Sequence, residues 1–567
     1  MRTLAALVSC LVLALSACAP TNAPAVATPQ AQPTTTAPPT PAPAVTPHAT
    51  ATSTAQPSGP QEITVNALQG EPDNLDPSRS SFATEAAVIR QVFEPLLNFD
   101  KDLKPVPAAA TSFDISQDGK TYTFHLKPNG KFSDGTPVRA KDFVYSFRRI
   151  LDPQVGAEYA SFFTEAGIVG AADYNAGKAS PEDVGVRAVD DHTLQIELET
   201  GIGYFPDLVA LWVVPPLRQG IIEAAGDSWA QNPQTYIGNG PFMLSEWVHQ
   251  DHITLVPNPN YAGPAPLLQK VTLLMVNSAE ADYAAYRNEE RDWTLVPDAE
   301  VQAVRNDPQL SKQAHEYTEL TTFWLIMNNG KTPLDNPLVR KALSRAIDRK
   351  AMIRDVASGV GQPATSFIPP GMPGYQAELG QEIDFDPNAA KDLLKQAGYA
   401  DAGQFPELRF RFAATTANQT RAEFIQAQLK QNLGINIQLD SMESKAYQAT
   451  YKNKDYDLAF GGWGADYPDP QDWMTGLFGC TASNNKSNYC DQKFDGVAMQ
   501  ADRLTDMGQR LRAYAQAQQI LEQDLPVAPL FYRGRMVLVK PWVQNLVITP
   551  KDDYPGLSFL SQVYVKR

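Results

Sequence analysis

Leu4 to Leu15 is apolar except for Ser9 and Cys10 and follows a short n-region, Met1-Arg2, made basic by Arg2. A stretch this short suits a secretion leader and is too short for a permanent bilayer span. Strict alternation first appears further on. Thr121-Tyr-Thr-Phe-His-Leu126 reads polar–apolar, the pattern of a half-buried strand, and Pro128-Asn129-Gly130 turns the chain toward Lys131-Phe132-Ser133. A second alternating pair, Val184 to Ala188 and Thr193 to Leu198, is joined through Asp190-Asp191-His192. Between the two hairpins Phe143, Val144, Phe147 and Ile150 recur at helical spacing. Together they predict an antiparallel sheet with a helical cover.

The C-terminal half has a different period. Asn336 suits a helix cap with Pro337 at the first helical position, and Leu338, Val339, Ala342, Leu343, Ala346 and Ile347 fall on one side. Asp386-Pro387 opens another helix, which places Leu393, Leu394 and Ala397 inward and stops at Gly398. Next come a strand at Leu408 to Ala413, a helix at Arg421 to Leu433, a strand at Ile435 to Leu439, a helix at Lys445 to Lys452 and a strand at Asp457 to Gly461. Such alternation predicts right-handed parallel crossovers in a doubly wound α/β sheet, whose ligands sit beyond the carboxyl ends of the strands. That rule points to two loops, Ala414 to Thr420 and Gly461 to Asp472.

Composition adds an address. Leu15-Ser16-Ala17-Cys18 ends the leader like a bacterial lipobox, so residues 1–17 read as a signal peptide and Cys18 as the lipidated terminus; the alternative is an ordinary leader with a chance cysteine. Ala19 to Gln61 holds no Asp, Glu, Lys or Arg and eleven of the 46 prolines, so residues 18–61 read as a solvated tether. Its ~42 residues would reach roughly 130 Å if polyproline-like and about 35 Å as a coil. Loss of Arg2 leaves 46 basic against 63 acidic residues, a formal −17, which argues against nucleic acid or anionic lipid as a partner. Two of the four cysteines remain, Cys480 and Cys490, closing a short turn-rich loop where an extracytoplasmic disulfide is expected. The remaining ~500 residues are too many for one core.

Chemistry concentrates in Gly461-Gly462-Trp463-Gly464-Ala465-Asp466-Tyr467-Pro468-Asp469-Pro470. Glycines permit close backbone approach, Trp463 and Tyr467 offer flat walls, and the Asp466 carboxylate suits an ammonium group in a closed cleft. The same residues also suit a turn-rich loop with a core tryptophan and solvated aspartates. Catalytic signatures are thin. His249 and His252 read as a surface hairpin, and His315-Glu316 lacks a zincin's second histidine. Gly177-Lys178-Ala179-Ser180 lacks the upstream glycine of a phosphate loop. Asp469 and Asp472 form an acid pair of unknown separation.

Ser116 to Ser146 resembles the signature block of the peptide-binding class of extracellular solute-binding proteins, the receptors of ABC importers for oligopeptides and dipeptides. Glu71-Pro-Asp-Asn-Leu-Asp-Pro77, Asn239-Gly-Pro241, Pro337 to Leu343, Ala346-Ile-Asp-Arg349, Ala389 to Leu394 and Leu538-Val-Lys-Pro-Trp542 follow in the family's order. The resemblance implies a two-lobed α/β fold with a hinge. Lobe I would be 62–100, 201–318 and 531–567, the inserted domain 101–200 and lobe II 319–530. It implies that Asp466 binds a peptide's amino terminus, with Gly461, Gly462, Trp463, Ala465 and Tyr467 around it. Gly70 and Glu71 would face them from the other lobe, and Tyr159, Phe162 and Tyr532 would be pocket walls.

Some relatives carry an arginine and a histidine that meet the ligand's carboxylate, where this chain has Phe460 and Asn418. Arg139 also replaces a small hydroxyl residue before the helix at Ala140. The resulting expectation is a monomeric, lipid-anchored, extracytoplasmic receptor with no catalytic role, metal or cofactor. It would deliver short peptides to an ABC permease. The alternatives are a receptor for a non-peptide solute such as an oligosaccharide, or an anchored secreted hydrolase.

Overall fold

The computed structural model describes residues 57–567, except 69, 381, 382, 552, 553 and the side chains of Ser444 and Lys445. The leader, Cys18 and the tether up to residue 56 lie outside the described residues. The body begins before the expected Glu62. Ser58 N donates to Val565 O (3.1 Å), and Gln61 brackets Val565 with its amide, giving Nε2 to O (2.9 Å) and taking N on Oε1 (3.0 Å). These bonds give the polar end of the tether a strand to lean on.

The alternating segments form a four-stranded antiparallel sheet in the order Ala110–Ile115, Thr121–Leu126, Thr193–Glu197, Val186–Asp190. Tyr122, Phe124, Leu126, Leu194 and Ile196 point to one buried side. The helix Ala140–Leu151 carries Phe143, Phe147 and Ile150 into the same core. Arg139 gives it no side-chain cap, as expected of a residue without a hydroxyl, and the reciprocal bond remains: the Asp142 carboxylate accepts the Arg139 N–H (2.8 Å). A second sheet, Glu62–Asn66, Lys270–Leu274, His252–Pro257, Phe242–Val248, contains the His249/His252 hairpin and shares that core.

The C-terminal half builds a larger sheet in the order Trp293–Leu295, Val527–Val539, Ala314–Met327, Leu458–Gly464, Leu408–Ala413, Ile437–Met442, with Gln362–Pro363 also on Val527–Val539. Leu408–Ala413 pairs in parallel with both of its neighbours, as the alternation predicts. The doubly wound expectation needs correcting for the rest of the sheet. The two longest strands run antiparallel, so the sheet is mixed. Helix Pro337–Arg345 is capped by the Asn336 side chain and Pro387–Gln396 by Asp386. Phe410, Phe412, Ala422, Ile425 and Leu429 are fully buried between sheet and helices, each large side chain contributing about 1.5–3 kcal/mol.

Val527–Val539 runs from one core to the other, placing Ala528, Leu530 and Phe531 in the core of the large sheet and Val537 and Val539 in the N-terminal core. Its partner Ala314–Met327 shifts register between Thr318 and Thr322. That irregularity interrupts the pairing of Glu319, Leu320 and Thr321 with Val527–Val539 beside the cleft, while Thr321 stays paired with Gly464 and Leu320 donates to Pro550 O and accepts from Ala465 N.

Candidate ligand-binding cleft

The carboxyl-end rule places the site at the end of Leu458–Gly464, but both expected loops are shorter than the sequence suggests. Gly461, Gly462 and Trp463 belong to the strand, paired with Trp324, Phe323 and Thr322. A Cβ on Gly461 would lie 2.7 Å from Ile326 Cδ1 and 2.8 Å from the Tyr451 hydroxyl; on Gly462 it would lie 2.7 Å from Phe323 Cδ1. These glycines are therefore required by internal packing. The Ala414–Thr420 loop is mostly helix, since Thr416–Leu433 starts on a Thr415 cap.

Beyond Gly464 the chain enters a cavity of about 190 Å3, open to solvent. Gly464, Ala465 and Asp466 form one side with Glu319, Leu320 and Thr321. Facing them is the helix Ala83–Val92, whose Ala83, Ala86, Ala87, Arg90 and Gln91 recur on one face. Pro550, Lys551, Tyr554, Leu557, Trp212 and Tyr159 complete the lining. The three alanines leave a shallow wall that a backbone can approach.

Asp466 is held from several directions. Tyr159 donates its hydroxyl to Oδ1 (2.9 Å), the Asp466 N–H goes to Asp472 Oδ2 (3.0 Å), and Lys551 Nζ donates to the Asp466 and Ala465 carbonyls (2.6 and 3.3 Å). Tyr159 packs against Phe162 (4.8 Å between centroids) and Trp212 (5.3 Å), which in turn carries the Arg90 guanidinium over its ring at 4.9 Å. Burial and the Asp466 and Asp472 charges hold the Tyr159 phenol well above its ordinary pKa, so it remains a donor. Trp463 Nε1 donates to Asp472 Oδ2 (3.1 Å). Burial first, then the charge on Asp466, pushes the Asp472 carboxyl well above the usual range. Tyr467 is buried, stacked 6.2 Å from Tyr204 and hydrogen-bonded to Gln471.

Asp469 is not half of a catalytic pair. Arg510 takes both of its oxygens (2.7 and 2.8 Å) in full burial, and this bidentate pair anchors the helix Met507–Asp524.

Other expected residues lie elsewhere. Glu71 accepts from Trp247 Nε1 (2.9 Å) and His249 Nδ1 (2.7 Å), so it fastens the hairpin and does not face Gly461; a Cβ on Gly70 would sit 3.0 Å from Asn277 Oδ1. Tyr532 is a buried brace, its hydroxyl taking the Ser366 N–H (2.8 Å). Asn418 gives its amide to Ala413 O (3.1 Å) and accepts from Arg421 Nη1 (3.2 Å). Arg421 lies 5.5–5.6 Å from the ring centroids of Phe323, Phe460 and Phe531. Positive charge is thus present beside Phe460 and Asn418 after all, one helical turn along. Among the described residues no carboxylate lies within ion-pair distance of it.

Cys480 and Cys490 are joined by a disulfide. The loop between them lines two smaller cavities on either side of Asn484, both touching Trp463. Phe162 and Tyr467 line one of these two.

Residues 104–485 match the model of the bacterial extracellular solute-binding proteins, family 5. The chain is 32% identical over 514 residues to the periplasmic oligopeptide-binding protein OppA of Salmonella typhimurium, covering 89% of this chain and 92% of that protein. An unliganded, open murein tripeptide-binding protein, MppA, superposes with a TM-score of 0.77 at 32% identity, covering 90% of this chain and 98% of the other. Haemophilus influenzae OppA in complex with the peptide RPPGFSPFR gives a TM-score of 0.75 at 29% identity, covering 90% and 100%.

Proposed function

The chain belongs to family 5 of the bacterial extracellular solute-binding proteins, and from that premise we propose that it captures short peptides between its lobes and hands them to an ABC permease. Members of this family bind solutes and do not transform them, so the protein is not an enzyme. One observation carries the peptide reading: the Asp466 carboxylate borders a cavity walled by both halves of the body and is oriented by Tyr159 from the other side of it. An incoming ammonium meets a charge already positioned by that hydroxyl and by the Asp472 contact, so little is spent on ordering it.

The backbone at Gly464 and at Glu319 to Thr321 borders the cavity, where an extended ligand would lie. Arg421 gives the far end positive charge for a carboxylate. Phe460 lies four strand residues before Gly464 and six positions before Asp466, at most roughly 20 Å of extended chain, which suits a ligand of a few residues. Cys18 would carry the lipid, with the tether letting a monomeric body reach from the membrane surface. Among the described residues no helix is long and apolar enough to cross a membrane.

Mass spectrometry of ligand carried through native purification tests the reading. Short peptides with free amino ends are expected; an oligosaccharide or another non-peptide solute would overturn it. Radiolabelled palmitate should enter the wild-type chain and not Cys18→Ser.

A further inference from the structure

Tyr467, the residue after Asp466, belongs to the C-terminal half by sequence but packs in the N-terminal core, where its ring stacks on Tyr204 (6.2 Å between centroids) and meets the edge of Phe162 (5.9 Å). Beside it the segment 201–204 of the N-terminal half reaches the end of helix Gln492–Asp502 and the start of helix Met507–Asp524. Gly203 N donates to Asp502 O (3.2 Å), and the Arg510 guanidinium lies 5.8 Å from the Tyr204 ring centroid. Each side of this contact is braced within its own half. Tyr122 gives its hydroxyl to Ile202 O (2.7 Å) on one side, while on the other Tyr514 donates to Asp502 and Arg510 grips Asp469.

The halves approach here as closely as a backbone without a side chain allows. A Cβ on Gly203 would lie 2.3 Å from Leu504 O and 2.7 Å from Arg510 Cδ. Arg510 Nε lies 3.0 Å from the same point, buried and without a hydrogen-bond partner among the described residues. Permanent core packing pairs nearly all of its donors, whereas a donor at an interface that parts is hydrated each time it opens. The contact also lies away from the two long strands that link the cores, so bending about those strands would separate it.

We infer that Gly203 and Tyr204 form, with Tyr467 and the 502–510 segment, a latch between the halves that is made on closure, contains no ligand atom, and positions Asp466 by seating Tyr467. The inference rests on the reading that the body closes on a ligand. Gly203 is a positioning residue, since it acts on the site only by letting the halves meet. The latch contributes equally whatever is held in the cavity, so it scales the affinity for every ligand while the cavity chooses among them.

Gly203→Ala tests the latch. The backbone at Gly203 is outside the left-handed region, so alanine suits the open form, and its methyl group meets Leu504 O only when the halves close. Calorimetry of the whole chain with Ala-Ala-Ala and Ala-Phe-Ala should show both binding about tenfold or more weakly to the variant, by the same factor, with the ligand-free melting temperature unchanged. Gly220→Ala, where an added Cβ meets nothing within 4 Å, should bind as the wild type does. Wild-type affinity in Gly203→Ala overturns the latch. So does a lowered ligand-free melting temperature, the mark of packing that is present in the open form too, and so do unequal factors for the two peptides. If neither peptide binds the wild-type chain, the peptide reading falls and small-angle scattering decides the latch. The ligand-free variant should then have the larger radius of gyration, and equal radii overturn it.

Discussion

Asp466 and Tyr159 meet across more than three hundred residues of chain, and each is intelligible only through the other. The phenol cannot ionise where it is buried, so it donates, and the carboxylate it orients is left facing the cavity. Tyr159→Phe keeps the ring between Phe162 and Trp212 but removes a charge-assisted hydrogen bond. It should weaken peptide affinity about tenfold with little change in melting temperature. Asp472 makes a second prediction. Its carboxyl is pushed up by burial and by Asp466, so an arriving ammonium favours its charged form and binding should release a proton. Calorimetry in buffers of different ionisation enthalpy should show that release, and Asp472→Asn should abolish it. At this scale the glycine–tryptophan context marked the stretch that puts Asp466 on the cavity, but it did not place Glu71 or Tyr532. Nothing local in the sequence tells that their polar atoms are taken by Trp247 and His249 or by Ser366.

Among the elements, periodicity was a good guide wherever one face is buried and a weak one where the pattern serves a cavity. The strand and helix of 121–126 and 140–151 follow directly from alternation and helical spacing. The helix Ala83–Val92 has an equally regular face, yet that face lines the cleft, and spacing alone does not separate a cavity wall from a core. The extension of the strand through Gly464 was hidden because glycines read as a turn, when here they make room for Ile326, Tyr451 and Phe323.

Helix Gln492–Asp502 ends on a carboxylate that burial raises to about 7, against the stabilising effects of Tyr514, Thr475 and Arg510. The folded form holds this proton more tightly than the unfolded chain, whose pKa is near 3.8. The group's contribution is therefore complete below about pH 4 and is lost as pH rises toward 7. Melting temperature should decline across that interval, and Asp502→Asn should flatten the decline. Opening the Cys480–Cys490 loop with serines should cost about 2–4 kcal/mol in denaturant unfolding.

For the whole molecule, the sequence identified the architecture through many short matches in order, but not the meeting of distant segments. Arg90, Glu319 and Lys551 line the same cavity from three parts of the chain, and none belongs to a motif. Two long antiparallel strands, Ala314–Met327 and Val527–Val539, link the cores, and bending about them is the natural route to closure. Ligand contacts made only in the closed form would shift that equilibrium. Small-angle scattering of the chain lacking leader and tether should therefore show a smaller radius of gyration on peptide addition.

The central claim is that the cleft recognises a peptide through its amino terminus at Asp466. The most direct test is calorimetry of one peptide in free and N-acetylated form against the wild-type chain and Asp466→Asn. N-acetylation should weaken wild-type binding by about a hundredfold or more, the scale of an unpaired buried charge, and should make little difference to the variant. Equal affinity of the wild-type protein for the two peptides would contradict the claim.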